Sequence, residues 1–314
     1  MLSTHIPYLL DQAILAPSSH NTQPWHFTAT DSAIFLHADR TRALAVNDPY
    51  DRELTISCAA ALFNLRAAAA HRGVPLAIEL FPDPQDPDCL ARATLSPQAD
   101  PEEAILALAI GHRRTYRHRF TPQPIPDTIL AELLAAARTE GAALSPVFTE
   151  ANRHALAALI AEGDALQWGN PSWRRELASW MHPRRSGDGL TVPGLVAPLT
   201  QLVVRTFDMG GGVAAKDREL ADGSPVLAVL STPADEPADW MAAGQALERV
   251  LLLATHHGLQ ASHLNQPVEI PTLRTQLQEL IRAGVPQLVL RLGYPTHDLP
   301  PTPRRPLDLQ TSHY

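Results

Sequence analysis

A run of hydrogen-bonding side chains lies between two prolines near the start of the chain. It reads Pro17-Ser18-Ser19-His20-Asn21-Thr22-Gln23-Pro24-Trp25. Pro17 cannot continue the helix that the apolar pattern of residues 9–15 predicts, because its ring clashes with the preceding turn, and Pro24 fixes a second bend. Hydroxyls, an imidazole and two carboxamides are therefore held between stiff corners and could bind a polar ligand. An ordinary turn before a buried tryptophan is the alternative that these residues leave open.

A dense basic run is the second concentration of reactive groups. Four arginines and two histidines fall within residues 112–119, although the 314-residue chain has a formal net charge of -8 and a pI near 5.9. Planar guanidinium groups suit bidentate capture of a phosphate. The proline-rich tail closes with a second pair of arginines, Arg304 and Arg305. A solvated basic surface is the alternative interpretation of the run.

Composition limits the classes of protein to which the chain can belong. Hydrophobic residues make up 45% and charged residues 18%, as in a globular protein. The net negative charge argues against sequence-independent binding to nucleic acid or to an anionic membrane. The chain has no run of 18 apolar residues and no signal-like N-terminus, so we expect no membrane association and a cytoplasmic location. Cys58 and Cys89 form no CxxC pair and the histidines show no HExxH spacing, so no metal site is expected.

The chain also shows the pattern of an internal repeat. The long helix predicted to end at Gly73 matches the one predicted to end at Gly258 at an offset of 185, and the helix that follows Ile6 matches the one that follows Ile125 at an offset of 119. The second half has Ala136-Ala137-Arg138 in place of Pro17-Ser18-Ser19, and the first half has no basic run before its Ile-Pro helix. Each half thus keeps one part of a single predicted site. Residues 169–215 interrupt the pattern and predict a lid, with Gly210 to Gly212 as its hinge.

The first run resembles the Pro-Ser-Ser-x-Asn-x-Gln-Pro-Trp signature of the nitroreductase family, which comprises FMN-dependent oxidoreductases that normally work as intertwined homodimers. The repeat is similar to that of a monomeric branch in which two halves are fused in one chain. The resemblance implies an α+β nitroreductase-like fold, with two similar halves around a mixed or antiparallel sheet. The halves would be residues 1–100 and 101–314, the second carrying the lid at about 169–215 and a tail at 295–314.

The resemblance also implies which residues bind FMN. The signature loop would lie against the flavin ring and ribityl chain, through Pro17, Ser18, Ser19, Asn21 and Gln23. The segment Arg113-Arg114-Thr115-Tyr116-Arg117 resembles the family's Arg-Arg-Ser-x-Arg, so that Arg113, Arg114 and Arg117 would hold the phosphate and the pyrimidine edge while the hydroxyl of Thr115 meets the ribityl chain. Arg304 or Arg305 would supply a second phosphate contact, and which of the two does so is open. Leu264, Asn265 and Gln266 would lie beside the reactive flavin nitrogen, although the glycines common there are missing.

The function implied by this resemblance is FMN-dependent oxidoreduction. Hydride would pass from NADPH or NADH through FMN to a small acceptor such as a nitroaromatic, a quinone or an enone, and no side chain is assigned a catalytic role. The alternative is a flavin-binding or flavin-storing protein with little turnover, and a third possibility is a scaffold that binds no flavin. We expect a monomer that binds a small-molecule substrate, with further dimerisation possible.

Overall fold

The computed structural model describes residues 2–98, 100–182, 186–192 and 196–313. Residues 183–185 and 193–195 of the expected lid lie outside the described residues. The helices are α1 (Ile6–Ala13), α2 (Arg52–His71), α3 (Pro101–Leu106), α4 (Asp127–Thr139), α5 (Glu150–Gly169), α6 (Pro171–Ser179), α7 (Ala197–Thr206), α8 (Gly210–Asp222), α9 (Pro237–His256), α10 (Gln266–Glu269) and α11 (Pro271–Ile281). The strands are β1 (Trp25–Ala29), β2 (Ala33–Ala38), β3 (Leu76–Leu80), β4 (Cys89–Leu95), β5 (Ala143–Pro146), β6 (Met181–His182), β7 (Leu190–Thr191), β8 (Val226–Thr232), β9 (Gln260–His263), β10 (Val285–Gly293) and β11 (Thr311–His313).

Two larger sheets form the framework, and together they confirm the α+β class. The first sheet has the order β11-β1-β2-β4-β3, in which β11 runs parallel to β1 and the other pairs are antiparallel. The second has the order β5-β8-β10-β9 and is antiparallel throughout. The resemblance predicted a mixed or antiparallel sheet, and the structure contains one mixed sheet and one antiparallel sheet. Strand β11 carries the C-terminal tail back to the first sheet, where it pairs with β1.

The two sheets share one connectivity. When β11 is left out, the four strands of each sheet lie side by side in the order first, second, fourth and third, where the numbers give their order along the chain. The 20-residue helices α2 and α9 follow the second strand of each sheet, and both their first and their last residues are 185 positions apart. This agrees with the offset read from the sequence. The division into halves at residue 100 stays a prediction, since connectivity does not locate a boundary.

Helices α2 and α9 pack closely against each other between the sheets. Gly244 of α9 allows this approach, because a Cβ there would lie 2.2 Å from the carbonyl oxygen of Ile56 and 2.5 Å from the Cβ of Ala59. Nearly all of α2 is buried, as its run of small apolar residues on most faces predicted. The close pairing brings the two halves of the chain into one body and leaves a cavity at the N-terminal end of α2.

An insertion separates the first and second strands of the second sheet. It carries α5, α6, α7 and α8 together with the short parallel pair of β6 and β7. Gly210 to Gly212, which were expected to form a hinge, begin α8, and their role as a hinge stays a prediction. Backbone amides in the first turn need no intrahelical partner, which makes a glycine-rich start tolerable. Among the described helices, none has the length and apolarity needed to cross a membrane.

Candidate functional site

A cavity of about 450 Å³ lies where the first run, the basic run and the insertion meet. The first run enters it as α1 ends, and the basic run enters after α3. Tyr116 fixes the basic run to the second sheet, because its backbone N–H donates to the carbonyl of Ala261 at 2.8 Å. The backbone N–H of Arg114 also donates to the side chain of Gln260 at 2.9 Å. Segments more than 90 residues apart in sequence therefore line one cavity.

The loop after α1 is held in a strained conformation. His20, Asn21 and Gln23 have φ values of 48°, 55° and 52°, in the left-handed region that costs non-glycine residues free energy. Ser18 holds the loop closed by accepting a hydrogen bond from the backbone N–H of Gln23 at 3.0 Å. Strain of this kind is typical of ligand-binding loops, because contacts with the surrounding structure hold such a loop in one fixed shape.

Glu53, in the first turn of α2, joins three elements at the cavity. Its carboxylate accepts from the Ser19 hydroxyl at 2.6 Å and from the Asn265 side-chain amide at 3.3 Å. The side-chain oxygen of Asn265 in turn accepts from the backbone N–H of Val289 at 3.1 Å. The first run is therefore fixed directly against the segment that follows β9. No motif in the sequence predicted this carboxylate.

Two arginines from distant parts of the chain converge on the C-terminal end of α1. Arg113 donates to the carbonyl oxygen of Leu15 at 3.2 Å, and Arg304 donates to the same oxygen at 2.8 Å. Arg304 also donates to the carbonyls of Ile14 and Ala16 at 2.8 and 3.0 Å. Cations are stabilised at a helix C-terminus, where the carbonyls carry partial negative charge. This anchoring brings two guanidinium groups together at one end of the cavity, which is the arrangement an anion needs.

The buried carboxyl group of Glu248 lies behind this pair of arginines. One of its oxygens is 3.4 Å from Nε of Arg113, and its side chain is fully buried. Burial raises its pKa to about 7, against the opposing effect of Arg113 and Arg304. Because this pKa is close to neutral, Glu248 cancels only part of the positive charge of the two arginines at pH 7.

The remaining arginines of the basic run differ in their contacts. Arg114 donates to the carbonyls of Leu299 and Gly111 at 3.2 and 2.9 Å, and burial together with neighbouring Arg113 lowers its pKa. The exposed surface of Arg117 lies in the cavity, and its guanidinium makes no hydrogen bond to the described residues. Desolvation lowers its pKa in spite of Asp217 nearby. Arg117 is thus an exposed cation in the cavity lining whose hydrogen-bonding capacity a ligand could satisfy.

Carboxyl groups collect at another part of the cavity wall. The side-chain amide of Gln266 donates to Asp164 at 3.1 Å and to Asp217 at 2.9 Å. Burial raises the pKa of Asp164 to about 7, and that of Glu269 well above its usual value with help from Glu53. Oε1 of Gln266 and Oδ2 of Asp164 are buried and have no hydrogen-bond partner among the described residues. This part of the cavity is therefore polar and incompletely satisfied, and burial favours the protonated forms of Asp164 and Glu269.

The insertion supplies an apolar wall. Trp168 and Trp173 pack edge to face, with ring centroids 5.5 Å apart, and Leu177, Leu190 and Val213 extend the surface. The indole N–H of Trp173 donates to Asn47 at 2.7 Å, which joins the insertion to the loop before α2. A planar aromatic ligand could stack on such a wall while polar groups hold its other end.

Most of the residues predicted from the sequence line this cavity. They are Pro17, Ser18, Ser19, Asn21, Arg113, Arg114, Thr115, Arg117, Asn265, Gln266 and Arg304. Three others are not among its lining residues: Gln23, Leu264 and Arg305. Gln23 supports the loop from behind, accepting from the backbone N–H of Arg305 at 2.9 Å and donating to the carbonyl of Gly187 at 3.0 Å.

The other two lie outside the cavity for different reasons. Leu264 is only 3% exposed and packs in an apolar cluster between the second sheet and the insertion. Arg305 points its guanidinium at the carbonyls of Gln23 and Leu309, at 3.3 and 2.7 Å. Successive residues of an extended tail point in opposite directions, so only Arg304 of the pair faces the cavity.

Several lining residues were missed by sequence reasoning. The carboxyl groups come from α2, α5, α8 and α10, and no spacing in the chain links them: Glu53, Asp164, Asp217 and Glu269. His20 and His263 also line the cavity, where burial lowers their pKa values to about 4 and about 3, so both are neutral at pH 7. An acidic residue in a predicted first turn, such as Glu53, is usually read as a helix-dipole contact. Tertiary packing alone reveals its second role.

The family model described as "Nitroreductase family" matches residues 110–294, and the chain belongs to this family. Two proteins of Mycobacterium tuberculosis with NAD(P)H nitroreductase names are similar to it. Rv3131 is 31% identical over 98% of this chain and 92% of its own length, and acg is 33% identical over 94% and 92%. PigM of Serratia, also named as an NAD(P)H nitroreductase, is 25% identical over 93% and 89%.

Similar solved structures include the FMN-dependent nitroreductase NfnB of Mycobacterium smegmatis in complex with NADPH. It is 17% identical, with a TM-score of 0.44, over 67% of this chain and 98% of that one. A similarity this low carries no argument about the site. The family assignment therefore depends on the sequence matches, and the cavity has to be interpreted from its own residues.

Proposed function

We propose that this chain binds one FMN in the cavity and uses it to pass hydride from NAD(P)H to a small acceptor. The observation that carries the proposal is the convergence of Arg113 and Arg304 on one carbonyl at the end of α1, beside a strained polar loop in the same cavity. Membership of the nitroreductase family and the names of the mycobacterial and Serratia relatives support it.

The residues present fit the groups of FMN. Arg113, Arg114 and Arg304 would hold the phosphate, for which paired guanidinium groups are well suited. The hydroxyls of Ser18 and Thr115 would face the ribityl chain, and Arg117 with its unsatisfied donors would face the pyrimidine edge. The cavity volume lies in the range of 300–1,000 Å³ that is common for ligand pockets. The buried unpartnered oxygen of Gln266 is a further acceptor that a bound ligand could satisfy.

The chain's own groups would bind, orient and shield the reactants. Bound FMN would supply the hydride-transfer chemistry, and the protein its position and electrostatic environment. Trp168 and Trp173 would exclude water and stack against a planar acceptor. Asp164 has a pKa of about 7, so its buried Oδ2 can hold or release a proton at neutral pH. We assign no side chain a catalytic role.

One site per chain is part of the proposal. The second half lacks the signature run, since Ala136 and Ala137 lie buried within α4 where that run would otherwise begin. The fused chain would then need no partner subunit to complete its cavity, and would act as a monomer on a small-molecule substrate. The insertion from about residue 169 to 215 would serve as the lid.

The visible spectrum of the purified protein tests these statements together. We expect a yellow protein with one FMN per polypeptide that bleaches under anaerobic NADPH or NADH and regains its colour when a nitroaromatic, quinone or enone is added. Two FMN per chain would contradict the single site. A yellow protein that neither nicotinamide reduces would support flavin storage instead, and a colourless protein that takes up no added FMN would refute both.

A further inference from the structure

A second group of ligand-type side chains lies on the first sheet, outside the cavity lining. His37 Nδ1, a carboxylate oxygen of Asp86 and Sγ of Cys89 all lie within 4.8 Å of one another, and His37 Nδ1 is 3.7 Å from Asp86 Oδ2. His37 is at the end of β2, whereas Cys89 begins β4 and Asp86 lies in the turn before it. Nitrogen, oxygen and sulfur donors thus meet at one point although α2 and β3 separate them in sequence.

An irregularity in the sheet brings the histidine to the cysteine. The register between β2 and β4 shifts between Leu36 and His37, so that Leu36 pairs with Ala91 but His37 pairs with Cys89. A β-bulge of this kind redirects a side chain and is a usual device next to functional sites. Without it, His37 would pair with Leu90, and its side chain would not face Cys89.

The turn before β4 fixes the carboxylate. Oδ1 of Asp86 accepts from the backbone N–H of Asp88 at 3.0 Å, and the carbonyl of Asp86 accepts from the backbone N–H of Cys89 at 3.1 Å. Oδ2 is left facing the histidine. The nearby cation Arg40 is engaged by Asp88 and Asp51, so it does not compete for Asp86.

The other nitrogen of the histidine is also fixed. Nε2 of His37 lies 3.1 Å from the hydroxyl oxygen of Thr28 on the neighbouring strand β1. A histidine that binds a metal through one nitrogen usually donates its other N–H to an oxygen, which sets the tautomer and the ring orientation. Thr28 provides that oxygen, and it leaves the lone pair of Nδ1 directed at Asp86 and Cys89.

We propose that His37, Asp86 and Cys89 bind one Zn²⁺ ion, with a water molecule in the fourth position. Ligand bonds of about 2.0–2.3 Å in a tetrahedral site place N and O donors roughly 3.4 Å apart, close to the 3.7 Å between His37 and Asp86. A thiolate with an imidazole favours Zn²⁺ over Mg²⁺ or Ca²⁺, which prefer oxygen donors. The side chains of His37 and Asp86 are 20% and 45% exposed, so solvent reaches the open position. Binding displaces the thiol proton of Cys89 to solvent, and the ion ties the turn before β4 to β2.

The sequence predicted no metal site because it contains no ligand motif with short spacing, such as CxxC or HExxH. The ligands here come from two strands, and their meeting depends on sheet register. The proposal is independent of FMN, because none of the three residues is among those that line the cavity.

Calorimetric titration of chelator-treated, tag-free protein with Zn²⁺ tests the site. We expect one Zn²⁺ per chain in the wild type and a loss of at least about tenfold in affinity in Cys89→Ser and in His37→Ala. His154→Ala, at an exposed histidine on α5, is the matched control and should bind as the wild type does. Thr28→Val, which replaces the hydroxyl with a methyl group, should weaken binding by about 10- to 100-fold.

Co²⁺ substitution separates this site from the carboxyl groups of the cavity. Thiolate coordination should give a near-ultraviolet charge-transfer band in the wild type and in Cys58→Ala, whose native thiol is fully buried elsewhere in the core. Cys89→Ser should lack the band, while circular dichroism reports whether each variant is folded. No stoichiometric Zn²⁺ binding by folded wild type, a band that survives in folded Cys89→Ser, or equal affinities in all folded variants would overturn the proposal.

Discussion

The neighbouring residues Arg304 and Arg305 offer a sharp test of the proposed phosphate site. Both belong to the same extended tail and have the same side chain, but only Arg304 lines the cavity. Replacing each in turn by glutamine removes one positive charge and keeps a polar, although shorter, side chain. Net charge and composition are then identical in the two variants, and only the position of the lost guanidinium differs.

The expected difference follows from the contacts. A hydrogen bond to a charged group contributes about 1.5–3 kcal/mol, which corresponds to roughly a 10- to 150-fold change in Kd. We therefore expect Arg304→Gln to weaken FMN binding by that factor. Arg305→Gln loses contacts to the carbonyls of Gln23 and Leu309, but the backbone N–H at position 305 still donates to Gln23. Its effect on Kd should stay within about threefold, which is under 1 kcal/mol.

Quenching of FMN fluorescence during titration with apoprotein measures both affinities. Thermal unfolding of the two apoproteins shows whether either variant is damaged before ligand is added, because Arg304 also binds the carbonyls at the end of α1. Equal losses of affinity in two equally stable variants, or a larger loss in Arg305→Gln, would refute the assignment of Arg304 to the phosphate.

Three further predictions concern the buried acid, the apolar wall and a peripheral ion pair. Burial raises the pKa of Glu248 to about 7, so the folded apoprotein binds its proton more tightly than the unfolded chain and loses up to about 3 kcal/mol of stability as pH rises from 4.5 to 7. The free energy of unfolding of Glu248→Gln, measured with urea, should not show this loss. An identical pH dependence of stability in both proteins would contradict the assignment of the loss to Glu248. Trp168→Ala should raise KM for an aromatic acceptor roughly tenfold, because it removes a stacking surface, and should change FMN affinity by less than about twofold. An unchanged KM in the kinetics together with a large loss of FMN affinity in the titration would reject the wall as an acceptor surface. Arg274, Trp240 and Gln287 hold the pKa of Asp235 well below its usual range, so its contribution is present above the unfolded pKa and lost as pH falls. Since Asp235 is 38% exposed, thermal denaturation on acidification should show a loss of only about 1 kcal/mol that Asp235→Asn lacks, and equal losses in both would exclude this ion pair as the source.

Sequence patterns alone predicted the local structure around the signature run and the basic run, and the polar and basic character that these two segments give the cavity. Pro17 ends α1 wherever the rest of the chain lies, and the alanine-rich interior of α2 requires close neighbours on most faces. The basic run and the signature run could be recognised because their residues are contiguous. These features depend on interactions within a few residues, which sequence patterns report well.

Tertiary structure decided which of these groups face one another. That Arg304 rather than Arg305 enters the cavity depends on how β11 pairs with β1, through contacts such as Phe27 opposite Thr311. That Glu53 joins Ser19 to Asn265 depends on the packing of α2 beside the end of β9. Register and helix packing depend on long-range contacts throughout the core. Such contacts leave no regular spacing in the sequence from which they could be predicted. For the same reason the cluster of His37, Asp86 and Cys89 became visible only when the bulge between β2 and β4 was known.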